Sequence, residues 1–203
     1  MVIKDGMNAM ERAIKRLFDV LCSFFGLVVL SPVFLIVYVS LRLQNDGSVI
    51  FRQERIGYKG KPFNIYKFRT MRTDSESEGK PQLASKGDER LTKVGKFLRE
   101  HHLDELPQLF NVFIGDMSFV GPRPERKYFI DMIKKENPDY DYIYLMRPGL
   151  TSMATIYNGY TDTMEKMLIR LDMDLDYLQK RSLWYDLKII ITTVLYIITG
   201  KKF

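Results

Sequence analysis

From Val20 to Leu41 the chain runs for 22 residues without a charged side chain, broken near the middle by Ser31-Pro32. As one helix this run would extend roughly 33 Å at about 1.5 Å per residue, enough for a hydrocarbon layer of about 30 Å. Pro32 works against that arrangement, because inside a helix it removes a donor and clashes with the preceding turn, at a cost of about 3 kcal/mol. A bend there leaves two arms of about 15 Å, each reaching only mid-bilayer. The Ser31 hydroxyl is then placed to satisfy a carbonyl freed at the bend, where lipid supplies no partner. Two arrangements stay open: one kinked crossing helix, or a re-entrant pair that enters and leaves by one face. A buried helix of a soluble core fits less well, since the run has almost no polar stripe. A cleaved signal peptide is not expected, because the run is too long and no small-residue cleavage site follows.

Beyond the run, Gln44 to Ser48 reads as a turn into a strand at Val49-Ile50-Phe51, and Gly57 to Lys61 as a tight loop before a second strand, Phe63 to Phe68. Thr73 to Asp88 is polar and reads as a mobile surface loop. Leu91, Val94, Phe97 and Leu98 predict an amphipathic helix ending near Arg99, and Met164 to Leu178 has helical spacing too. Pro138, Pro148 and Gly149 punctuate the second half. Leu183 to Ile198 is strongly apolar but carries Asp186 and Lys188 near its start, with Trp184, Tyr185 and Tyr196 suited to an interface. An interfacial or packed helix is expected there, not a second crossing. With 203 residues, the chain has room for a membrane element over 1–42 and one compact α/β domain over 43–203.

Charge sharpens the first choice. Arg12, Lys15 and Arg16 precede the run, and Arg42, Arg52, Arg55, Lys59 and Lys61 follow it. Two basic flanks favour two cytoplasmic ends, hence re-entry. Lys and Arg total 31 against 25 Asp and Glu, a net charge of +6, and seven basic residues against one acidic lie between Arg52 and Arg72. Such a balance suits anionic lipid, phosphorylated ligands or nucleic acid. No DNA- or RNA-binding pattern accompanies it, so nucleic acid is not an expected partner. The single cysteine, Cys22, excludes an intrachain disulfide and a cysteine-rich zinc site. Adjacent His101 and His102 would point in different directions on a helix or strand and read as surface or packing residues.

The chemistry concentrates in Leu103-Asp104-Glu105-Leu106-Pro107-Gln108-Leu109-Phe110-Asn111. Pro107 fits the first turn of a helix, with Leu106, Leu109 and Phe110 on its buried face. Asp104 and Glu105 then sit near a helix N-terminus, where they either cap the helix or form an anionic reaction centre. Adjacent carboxylates do not straddle a glycosidic bond. They suit covalent phosphoryl transfer better, one attacking phosphorus while its neighbour aids metal binding or positioning. Downstream, Pro122 and Pro124 stiffen the backbone around Arg123, which suits a bidentate phosphate contact.

Several segments occur together in order: Lys15-Arg16-Leu17-Phe18-Asp19, Ser31-Pro32, Ile65 to Met71, the Asp104-Glu105 segment, Gly115 to Pro124, and Arg147-Pro148-Gly149. On these motifs, which span nearly the whole chain, the sequence resembles the small monotopic bacterial phosphoglycosyl transferases, the initiating sugar transferases. The resemblance implies transfer of a phosphosugar from a UDP-sugar to a polyprenol phosphate such as undecaprenyl phosphate, with release of UMP. It implies a re-entrant helix bent at Ser31-Pro32, a compact α/β core with interfacial helices, and membrane lipid as a partner. The site would face the cytoplasm at the bacterial inner membrane, with both termini on that side.

By the same resemblance Asp104 is the nucleophile that forms a phosphosugar-aspartate intermediate. Mg2+ would bind at Asp104 and Glu105, with Glu105 assisting either metal or acceptor. Arg99 and Arg123 match phosphate-contacting positions; Lys67 and Arg147 are further donor contacts or else structural partners. Asp174 matches an acidic position of the family within a run of neighbouring acids. One segment departs from the family. Where many members have Thr-Gly-Trp-Ala-Gln and then Asn-Gly-Arg, residues 151–160 read Thr-Ser-Met-Ala-Thr-Ile-Tyr-Asn-Gly-Tyr. Without that glutamine and arginine no particular sugar is assigned.

Overall fold

A computed structural model describes residues 3–44, 47–72, 88–159 and 161–199. The segment 73–87, where the surface loop is expected, lies outside the described residues. Eight helices and four strands are seen among those described. The apolar run belongs to two of them, α1 (Ala9–Val29) and α2 (Ser31–Leu43), bent by 59° at the break. Pro32 stands in the first turn of α2, where its missing donor is harmless. The Ser31 hydroxyl donates to the Val28 carbonyl at 2.7 Å, which is the satisfaction of a freed carbonyl that the sequence predicts.

The first arm begins well before the apolar run, because α1 starts at an Asn8 cap closed by Glu11 into a reciprocal capping box. Lys15 and Arg16 therefore lie inside α1 and do not merely flank it. Lys15 pairs with Asp186, Arg16 donates to the Val112 and Phe113 carbonyls at 2.7 and 2.9 Å, and the Phe119 N–H donates to buried Asp19 at 3.1 Å. These contacts fasten the polar half of α1 to the domain. Its outer face keeps Leu17, Leu21, Phe25 and Val29 exposed.

No single helix among the described residues is long and apolar enough to cross a membrane; α1 and α2 together are, by length and composition.

The domain is a mixed α/β core. Strands β1 (Ile50–Ile56) and β2 (Pro62–Phe68) form an antiparallel ribbon pairing Ile50 with Phe68 and Ile56 with Pro62. The tight loop between them is a 3-10 turn with Lys59 at φ 59°. Thr92 caps α3 (Lys93–Glu100), whose Gly95 admits the Thr70 carbonyl so closely that a Cβ would lie 1.9 Å from its oxygen. After α4 (Gln108–Ile114), short β3 (Ser118–Val120) pairs in parallel with β4 (Gly149–Thr151) around α5 (Lys127–Glu136).

The main core gathers Ile130, Ile133, Tyr140 and Met146 with Met167, Leu171, Leu178 and Ile189. The last four come from α7 (Met164–Lys180) and α8 (Leu183–Ile198), which follow the short α6 (Met153–Asn158). Helix α8 buries Asp186 and Ile189 and exposes Trp184, Leu187, Ile191, Val194 and Ile198. That is one apolar stripe at helical spacing, as an interfacial helix requires.

Candidate active site

The acidic pair stands on a single 3-10 turn, Leu103–Glu105, entered through His102 in the left-handed conformation at φ 54°. Pro107 is the N-cap of α4, so the pair precedes that helix instead of lying within its first turn. Leu103 and Leu106 on either side pack with Val94 and Leu98 of α3 and Phe34 of α2. Apolar flanks thus hold the turn rigid while its carboxylates face the charged side of the ribbon. Asn111 fixes the register: its side chain accepts from the Tyr66 N–H at 3.0 Å and donates to the Asn64 carbonyl at 2.7 Å, clamping α4 to β2. Asn111 is fully buried, and the Tyr66 and Asn64 groups that clamp its side chain belong to β2, a pairing that its local sequence does not name.

The two carboxylates differ in environment. Glu105 accepts from Lys67 at 2.6 Å and from Arg123 at 3.3 Å through the same oxygen. Burial opposes its charge, but Lys67 and Arg123 overcome that and hold the carboxyl well below the usual range. Asp104 is 6% exposed, and no hydrogen bond from the described residues reaches its carboxylate. Burial pushes Asp104 above its ordinary value against the pull of Lys67, and the adjacent Glu105 charge adds to the rise, while Arg99 from the last turn of α3 opposes it. The result is one cation-held carboxylate that favours its ionised form beside one whose oxygens accept no hydrogen bond from the described residues. The first can position a charged ligand and the second can react with it.

Arg123 is presented as the sequence predicts. Pro122 and Pro124 are buried while Arg123 is exposed. The turn is clamped on one side by the Gly149 N–H donating to the Pro122 carbonyl at 2.9 Å, and on the other by the Ile56 N–H donating to the Glu125 carbonyl at 3.1 Å. Gly121 and Gly149 approach so closely that a Cβ on Gly149 would lie 2.1 Å from the Gly121 nitrogen.

Two expected residues take other places. Arg147 donates to the Gly115 carbonyl at 2.9 Å and stacks its guanidinium 4.9 Å from the Tyr58 ring centre. With Arg16 it covers the carbonyl end of α4, about 10 Å along that helix from the acidic pair. Asp174 is buried, whereas Asp172 and Asp176 are exposed, so burial selects it from the run of acids. No hydrogen bond or ion pair joins it to Asp104 or Glu105. It neighbours Arg170 and Glu125, the latter also bonded to Arg55 at 3.3 Å.

Burial pushes Asp174 up to about 7 against the pull of Arg170, with Glu125 adding to the rise. An acid raised in the folded state keeps its full contribution below its unfolded value, 3.8, and loses it as pH rises through about 7. Asp174→Asn is therefore expected to be more stable than the natural chain at pH 8, with a gain that grows by at most about 1.4 kcal/mol per pH unit across that window. Thermal unfolding at pH 4 and pH 8 measures it; an equal effect at both would count against the assignment.

Among the described residues no group of three or more His, Cys, Asp or Glu converges on a metal position. Two adjacent carboxylates nevertheless fit a magnesium ion that completes its shell with substrate phosphate and water, as such ions commonly do.

The chain thus combines a mixed α/β core, a buried carboxylate in a basic setting and a bent apolar helix pair. Residues 10–200 match the model of the bacterial sugar transferase family, and the chain belongs to that family. It is 41% identical over 187 residues to the UDP-N-acetylgalactosamine-undecaprenyl-phosphate N-acetylgalactosaminephosphotransferase of Aeromonas hydrophila, covering 92% of this chain and 44% of the relative. A UDP-glucose:undecaprenyl-phosphate glucose-1-phosphate transferase of Klebsiella pneumoniae is 44% identical over 190 residues, covering 93% of this chain and 41% of its own length. The chain thus spans less than half of these relatives. The exopolysaccharide production protein PSS of Rhizobium leguminosarum bv. phaseoli, 39% identical, is matched over its whole length and 96% of this chain.

Proposed function

We propose that this chain transfers a phosphosugar from a UDP-sugar to a polyprenol phosphate, undecaprenyl phosphate by the relatives' names, as the first membrane step of surface glycan assembly. The observation that carries this reading is the contrast within the acidic pair: Glu105 locked by Lys67 and Arg123, Asp104 buried with open oxygens. An Asp104 oxygen attacks the sugar-linked phosphorus, and the bond from that phosphorus to the bridging oxygen breaks, so UMP leaves with the bond's electron pair. A phosphate oxygen of the lipid then attacks the same phosphorus and frees the Asp104 carboxylate. Arg99 and Arg123 are positioned to take phosphate charge, and Lys67 keeps Glu105 in place and favours ionised Asp104. Magnesium, held by Asp104 and Glu105, would supply neutralisation of the diphosphate charge.

We further propose that α1 and α2 form a re-entrant pair at the bacterial inner membrane, with the stripe of α8 at its surface and both termini in the cytoplasm. The 59° bend and the exposed apolar faces support it. Tags at the two termini found on opposite sides of the membrane would overturn this placement.

Incubation with magnesium, undecaprenyl phosphate and a panel of UDP-sugars should release UMP with at least one donor. No release across a broad panel sinks the reaction. Lys67→Met removes a charge that helps ionise Asp104. The acid limb of the pH dependence of UMP release should then move upward by about one pH unit; a limb that stays in place would show that Lys67 does not act on Asp104.

A further inference from the structure

The basic side of the ribbon holds one residue that none of the assigned contacts uses. Arg69 follows β2, and its N–H donates to the Val49 carbonyl at 2.9 Å, so the ladder continues through it. Side chains alternate along a strand, which puts Arg69 on the same face as Lys67, about 7 Å further on. Lys67 on that face reaches Glu105. Between them Phe68 points the other way, into the cluster with Phe34, Val37 and Leu41 of α2.

Arg69 is 7% exposed, and its Nε, Nη1 and Nη2 atoms are buried without a hydrogen-bond partner among the described residues. The other two buried arginines among the described residues are satisfied: Arg170 by Glu125, and Arg181 by both oxygens of Asp5. A buried cation stripped of water and left without an anion is strongly disfavoured. A fold that nonetheless keeps one on the strand face it shares with Lys67 has donors reserved for an anion from outside.

We propose that Arg69 is a phosphate-binding residue whose guanidinium takes oxygens of a substrate phosphate or diphosphate. The inference rests on the transferase reading and adds a contact to it. A planar fork of five donors matches phosphoryl oxygens bidentately, and burial strengthens each bond. Lys67 and Arg123 bond Glu105 and Arg99 acts on Asp104 through its charge, whereas no carboxylate among the described residues pairs with Arg69. Its charge is therefore fully available to the ligand.

The test compares the full natural chain with Arg69→Met and Arg69→Lys. Loss of the fork should raise KM for one phosphate substrate by about tenfold or more in the methionine variant, with the lysine variant intermediate. A rise confined to undecaprenyl phosphate, with the acceptor-free burst of UMP unchanged, assigns the contact to the lipid phosphate. A slowed burst and a raised KM for the UDP-sugar assign it to the donor diphosphate. Both outcomes support the site.

Values of KM within twofold of the natural chain for both substrates, in a folded methionine variant, overturn it. Should that variant not fold, Arg69→Lys with both constants unchanged does the same. Thermal unfolding with added inorganic pyrophosphate separates this proposal from the reaction itself. A natural chain that releases no UMP but is stabilised by pyrophosphate, with the stabilisation lost in Arg69→Met, upholds the anion site while the transferase reading fails. Equal stabilisation of both chains counts against Arg69.

Discussion

Asp104→Asn should abolish transfer, lowering turnover by a factor on the order of 10^4 or more, because a neutral amide cannot attack phosphorus to form the acyl-phosphate link to the phosphosugar. The same variant should fold at least as well as the natural chain. Burial already favours the uncharged form of Asp104, and asparagine has the shape of that neutral acid. Normal unfolding together with lost UMP release, and no radiolabelled phosphosugar on the protein, is the expected combined result. Near-normal turnover would remove the covalent route.

Glu125→Gln should be the most damaging change to stability, by about 3 kcal/mol or more. Glu125 is the shared partner of Arg170 and Arg55, and its loss leaves two cations in the interior with a neutral neighbour. Burial opposes the charge on Glu125, but Arg170 and Arg55 prevail and hold its carboxyl below the usual range. A lowered folded-state value gives stability that is present above the unfolded value, near 4.5, and lost as pH falls through the folded one. The difference between Glu125→Gln and the natural chain should accordingly be full at pH 7 and shrink in acid. Chemical unfolding at pH 7 and pH 4 measures both. Because Glu125 ends the clamped turn that presents Arg123, the variant should also bind donor less tightly at temperatures where it remains folded.

Local patterns carried far in this chain. The Ser31-Pro32 bend and α8 were legible because a proline and a long apolar run act over one or two turns and need no distant partner. The strand Phe63 to Phe68 and the helices after Leu91 and Met164 were legible for the same reason. The acidic pair and the Arg123 turn were readable as chemistry, since adjacent carboxylates and a proline-framed arginine are uncommon without cause.

The parallel pairing of β3 with β4 was not readable. Each has three residues, too few to show a period, and their pairing needs the close approach of Gly121 and Gly149 across the intervening α5. The buried polar contacts escaped as well. Lys15 with Asp186 and Arg181 with Asp5 are separated by 171 and 176 positions, and nothing in the local sequence of either partner names the other.

The sequence by itself determined that an apolar helix must bend at Pro32, that a basic α/β domain follows, and which motifs carry the family resemblance. Tertiary structure alone decided how the basic residues divide. Lys67 and Arg123 go to Glu105, Arg147 to the end of α4, Arg55 and Arg170 to Glu125, and the Arg69 guanidinium to no partner among the described residues. The physical reason is that propensity and hydrophobic period act between neighbours in the chain. The partner of a buried charge is instead set by which carboxylate the packing brings within about 3 Å of it, with water excluded.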